Sequence, residues 1–81
     1  MFYHRYRIVV AGAIGEASRQ AFDGFKIDQL GANTALRADL DQAALFGALS
    51  RVLALGLELI EVVQEDSDLA DRERPSAAKP A

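Results

Sequence analysis

The sequence predicts an α+β fold in which four short strands form one sheet and helices pack on one of its faces. Three observations carry this. Asp41 to Gly56 reads as one amphipathic helix with its own start and stop signals. Short apolar stretches with alternating character precede it, and another follows it at once. The connections between them are brief and marked by Gly, Asp and Asn.

Taken in order, Arg5 to Ala11 is the first strand, with Tyr6, Ile8 and Val10 alternating against Arg5, Arg7, Val9 and Ala11. Gly12 and Gly15 bracket a turn. Glu16 to Phe22 then has room for two helical turns, offering Ile14, Ala17, Ala21 and Phe22 to the core. Asp23-Gly24 is a turn dipeptide. Phe25 to Leu30 is the second strand. Gly31-Ala32-Asn33 reads as a hairpin loop whose Gly and Asn tolerate positive φ. Thr34 to Leu40 is the third strand, and Glu58 to Gln64, after the main helix, the fourth.

On the main helix, residues placed 100° apart put Leu45, Ala48, Leu49, Val52 and Leu53 on one side, flanked by Ala44, Phe46 and Leu55. Asp41 is the expected N-cap, with Leu40 and Leu45 at the spacing of a hydrophobic staple. Asp39 with Gln42 three residues on is an alternative start. Gly56 is the expected stop in a left-handed conformation, after which Leu57 folds back onto Val52.

The resulting βαββαβ order, with right-handed crossovers, gives an antiparallel sheet in the spatial order 4-1-3-2, a ferredoxin-like sandwich. The first helix is short for that fold, and a meander with one helix laid across it is the alternative. Residues 1–64 make this domain. Residues 65–81 turn to charges, Ser, Ala and two prolines, which predicts a solvated, disordered tail.

Composition narrows the function. The 81 residues leave a core that is small for an independent domain, and self-association is a common remedy. With no cysteine, disulfides and thiolate metal sites are excluded, which fits a cytoplasmic setting. The basic Arg5 to Arg7 followed by an apolar run superficially resembles a secretory signal. That run is short, holds two glycines and is the best strand of the chain. Arg51, Glu58 and Glu61 interrupt the longest apolar region, so no membrane span is expected.

Chemistry-bearing patterns are sparse. His4 is the only histidine, lies before the first strand and has no cysteine to join it, and Ser18 and Ser50 have no activating context. Gly12-Ala13-Ile14-Gly15 lacks the third Gly and the Lys-Ser/Thr of a phosphate loop. Neither an enzyme, a metal site nor a cofactor is expected. A net charge of −3, and a third strand without aromatics, disfavour nucleic acid.

The run DQAALFGALSRVLALGLELIEV resembles the C-terminal half of a group of small uncharacterised bacterial proteins with a DQAAL-x-G-x-L-x-R…LGL-x-L pattern. Those proteins also have a strand ending in Gly and a Phe-Asp-Gly turn, matched here by Gly12 and Phe22-Asp23-Gly24. The chain departs from them at Phe46, where His is common, and around Ala17 to Ala21, where Trp often occurs. The resemblance implies the same fold and carries no activity. At fold level alone the chain is also similar to ACT-type regulatory domains, but the Asp and Pro-Gly of their ligand loop are missing after the first strand.

These readings converge on a non-catalytic interaction or regulatory module, paired with itself or with an unidentified protein as a small subunit. Alternation places Arg7, Val9, Leu30, Arg37, Leu59, Glu61 and Val63 on the sheet face away from the helices, the expected interface. Asp41 and Gly56 are structural. A small-molecule sensor with its pocket between the Gly12 loop and the main helix is the rival reading.

Overall fold

A computed structural model describes residues 2–65. The tail expected over residues 65–81 lies outside them except for Glu65, which the sheet holds: its N–H donates to the Arg5 carbonyl. The elements are β1 (His4–Val10), α1 (Glu16–Ala21), β2 (Lys26–Leu30), β3 (Asn33–Leu40), α2 (Gln42–Ala54) and β4 (Leu59–Gln64). The sheet runs β2-β3-β1-β4 with every pairing antiparallel, the ferredoxin-like arrangement.

Alternation decides what each face of the sheet does. Ile8, Val10 and Leu36 point toward the helices and are fully buried with Ile14, Phe22, Ala48 and Val52. Their neighbours Arg7, Val9, Ala35 and Arg37 therefore point to the open face.

The ends of α2 form as its sequence dictates. Asp41 is extended and its Oδ1 accepts from the Ala44 N–H at 2.8 Å, closing the N-terminus. Asp39, the alternative start, instead meets Arg5 at 3.3 Å. At the other end Leu57 N–H reaches the Val52 carbonyl and Gly56 N–H the Leu53 carbonyl, both at 3.0 Å, a Schellman motif. Gly56 has φ +74°, which a side chain resists. Leu57 packs against the core, as expected.

Three details differ from the sequence reading. The hairpin loop is two residues, Gly31 and Ala32, because Asn33 pairs with Leu30 and belongs to β3. Gly31 alone has positive φ, as in a II′ turn, and the Asn33 side chain is free to accept from the Gly12 N–H at 3.2 Å. Helix α1 buries none of its own residues, Ala17 included; Ile14 before it and Phe22 after it supply the contacts. Finally, β4 carries a bulge. Val9 faces Glu61 but Val10 faces Leu59, so Ile60 is the extra residue. One added residue reverses alternation beyond it, and Leu59 leaves the open face on which it was expected.

Asp41→Ala is expected to lower stability by ~1 kcal/mol. Asp39→Ala should cost less, because its ion pair is well exposed on both sides. Urea melts giving the reverse order would contradict the cap. Gly56→Val should cost on the order of 1–2 kcal/mol through forced positive φ, and an unchanged melt would show that this position tolerates a side chain.

Candidate association surfaces

Two surfaces remain once the core is accounted for. On the open face, β1–β3 register sets Arg7 directly opposite Arg37, a repulsive pairing taken alone. Glu65 resolves it. Its Oε2 lies 3.0 Å from Arg7 Nη1 and its Oε1 3.3 Å from Arg37 Nε. Arg37 Nη1 also meets Asp28 Oδ2 at 2.6 Å, and Arg7 Nη2 stands 4.0 Å from Glu61. The pairs Arg7–Glu61 and Arg37–Asp28 follow from strand order. Glu65 does not, because composition assigns it to the tail rather than to the sheet.

This lattice changes what the open face offers a partner. Val9 is only 3% exposed and Ala35 is fully buried, even though both point away from the helices. Aliphatic stems of neighbouring long charged side chains cover apolar surface in this way. Of the expected interface residues, Arg7, Arg37 and Glu61 are paired within the chain, Val9 is covered, and Leu59 has moved away. Leu30 and Val63 stay on the face, but on strands at opposite edges of the sheet. The structure does not gather the four aliphatics into one patch.

Four of the exposed large apolar residues lie instead on the α2–β4 side. Phe46 and Leu53 of α2 are 57% and 70% exposed; Ile60 and Val62 of β4 are 49% and 38% exposed. Helical geometry relates them. The Arg51 guanidinium carbon sits 6.0 Å from the Phe22 ring centroid, so that flank of α2 looks toward the end of α1. The flank bearing Gln42, Phe46, Leu49 and Leu53 lies on the opposite side, at 100° per residue. Gln42 lines a groove with Gln64, which places this flank on the β4 side. Leu53 was expected to face the core. It lies too far round the helix for the sheet to reach.

The groove has a volume of about 440 Å³ and is also lined by Phe2, His4, Tyr6, Asp41 and Ala43. It lies at the N-terminal end of α2, whereas the sensor reading places a pocket by the Gly12 loop. That loop is tied to β3, since Thr34 Oγ1 donates to the Gly12 carbonyl at 2.7 Å and the Gly12 N–H is held by Asn33. His4 stacks edge-on to Tyr6 with ring centroids 6.3 Å apart. Among the described residues no group of His, Cys, Asp or Glu is placed to hold a metal ion, and no helix is long and apolar enough to cross a membrane.

Residues 5–63 match a domain of unknown function, DUF8691, over more than half the chain. The chain belongs to the DUF8691 family. No curated protein and no solved structure matches it. The matched DUF8691 segment takes in both helices and the α2–β4 surface, while Glu65, which ties Arg7 to Arg37, lies just beyond it.

Glu65→Gln removes the charge between two facing cations and is expected to cost ~1 kcal/mol at low ionic strength, shrinking as salt screens the repulsion. Glu61→Gln should cost less, its one contact to Arg7 being 4.0 Å and half-exposed. Urea melts of both variants at low and high salt check this. Equal losses would deny Glu65 its bridging role.

Proposed function

We propose that this protein is a non-catalytic association module that works as a homodimer. The observation that carries the reading is the α2–β4 side, where Phe46, Leu53, Ile60 and Val62 are exposed together. The opposite face supports it by contrast, since its two arginines are paired within the chain and Val9 and Ala35 are covered. Domains of this size bury little of their unfolded surface and gain stability from a partner. Cytoplasmic residence is the setting we infer from a chain without cysteine.

A second reading has one observation behind it. The groove by Gln42 and Gln64 falls within the size range of small-molecule sites and combines aromatic and amide side chains. A sensor of this kind predicts a melting temperature that responds to a ligand.

Sedimentation equilibrium on the wild type and on Phe46→Glu with Leu53→Lys tests the dimer. The wild type should sediment as a dimer and the double variant as a folded monomer, since both side chains lie outside the core. A wild type that stays monomeric at the highest concentration rules out the homodimer and leaves the role of a small subunit in a larger complex. A dimer untouched by the double substitution moves the interface to another surface.

A further inference from the structure

Resting on that reading, we infer that two copies join edge to edge through β4, antiparallel about a two-fold axis at Val62, making one continuous eight-stranded sheet. The two exposed edges of the described sheet are unlike. Strand β2 carries Lys26, Asp28 and Gln29, polar residues of the kind that discourage strand addition. Strand β4, Leu-Ile-Glu-Val-Val-Gln, has one charge and no Pro, and Arg7 of its own chain stands beside that charge. Its bulge sits at Ile60, and from Glu61 onward the ladder is regular.

The backbone says which residues have groups to share. Glu65 N–H donates to the Arg5 carbonyl, so residues 5 and 65 form a hydrogen-bonded pair. Along the register, Val63 with Arg7 and Glu61 with Val9 are pairs of the same kind and turn their backbone groups toward β1. Val62 between them turns its N–H and C=O outward, to the outer edge of the described sheet.

Charge then chooses the register. A continuous sheet needs partners that point to the same face, so the axis passes through a residue of β4. An axis at Glu61 sets that carboxylate against its own copy, and one at Val63 sets Glu61 against Glu65 of the second copy; both oppose like charges. An axis at Val62 sets Val62 against Val62 and Glu61 against Val63. Of these three registers, only the one at Val62 avoids opposing like charges while keeping the regular part of the strand centred on the axis.

The helix layer meets the same axis independently. Helix α2 runs antiparallel to β4: its first residue shares the groove with Gln64, and its end turns through Gly56 to Glu58, whose carbonyl accepts from Ala11. Thirteen helical residues span ~20 Å and six strand residues nearly the same, so the middle of α2, near Ala48, is level with the middle of β4 along the strand direction. The stripe Gln42, Phe46, Leu49, Leu53 has the 4-3-4 spacing of a helix-pairing seam and is centred at the same place. Two-fold pairing at Val62 thus turns the Phe46–Leu53 flanks of both copies toward each other across the joined strands. The contact is ~20 Å long and two layers, ~20 Å, deep. That is small against the ~800 Å² per partner of a standard interface, so micromolar affinity is expected.

The chain has no cysteine, which makes directed cross-linking clean. With the axis at Val62, the two Val62 Cα atoms stand ~5.5 Å apart, within disulfide reach. The two Glu61 Cα atoms, like the two Val63 Cα atoms, are more than ~8 Å apart and out of reach. Under mild oxidation Val62→Cys should form a covalent dimer, and Glu61→Cys and Val63→Cys should each fail alone but cross-link when mixed. Each variant is checked for native circular dichroism and sedimentation before oxidation. A wild-type dimer in which Val62→Cys does not cross-link, or in which all three single variants cross-link alike, overturns the β4 pairing and leaves the association reading standing. A wild type that is monomeric overturns both.

Discussion

One constraint governs this fold: among the described residues, a four-stranded sheet has only one substantial helix to cover it. Four strands at ~4.8 Å spacing make a sheet ~19 Å wide, whereas a helix with its side chains is ~10–12 Å across. Helix α1, at six residues, buries none of its own side chains. Ile14 and Phe22 fill the space that a longer first helix takes elsewhere in this fold, with Phe22 held edge-on by Phe25 at 5.5 Å and by Arg51 above it. Coverage ends there. Val62 pairs with the fully buried Ile8, yet itself remains exposed, because β4 lies beyond what α2 shelters.

The open face meets the same shortage differently. No helix among the described residues covers it, and a half-buried sheet with two arginines opposed across neighbouring strands is poorly stabilised. Carboxylates from three places, Asp28, Glu61 and Glu65, surround Arg7 and Arg37. Each pair is worth little alone at the surface. Their combined effect is to hold long aliphatic stems across the sheet, and Val9 and Ala35 are dry beneath a charged surface. One buried atom, Arg7 Nε, has no hydrogen-bond partner among the described residues, so even this lattice is incompletely satisfied.

Architecture was legible in the sequence because local signals there agree. Asp41, Gly56 and the strand alternation each fix one feature, and of the two topologies they allow, the sandwich order rather than the meander is the one the structure has. What escaped was what depends on an offset of one residue or on distance in space. The bulge at Ile60 has no signature in an apolar run such as Leu-Glu-Leu-Ile-Glu-Val-Val, yet it moves Leu59 to the other face. Glu65 belongs to a charged segment by composition and to the sheet by contact. Leu53 satisfies the helical period, but period alone does not say how far round the helix the sheet extends. Wherever the sheet stops short of the helical arc, apolar residues on that arc stay exposed.

Scattered apolar residues are ordinary on any protein surface, and each of these alone needs no explanation. Their arrangement is what bears on association. Phe46 and Leu53 are seven residues apart on one flank of α2, so they stand one above the other along it. Val62 and Ile60 lie on the edge strand that this flank faces. Polar residues at these positions would leave the described core untouched, because none of the four belongs to it. The folding of the monomer therefore does not account for their being apolar, whereas burial in the proposed dimer would. A heterologous partner must supply a strand and a helix in the same two layers. In the proposed pairing a second copy would supply both at once, with its single edge charge opposite a valine.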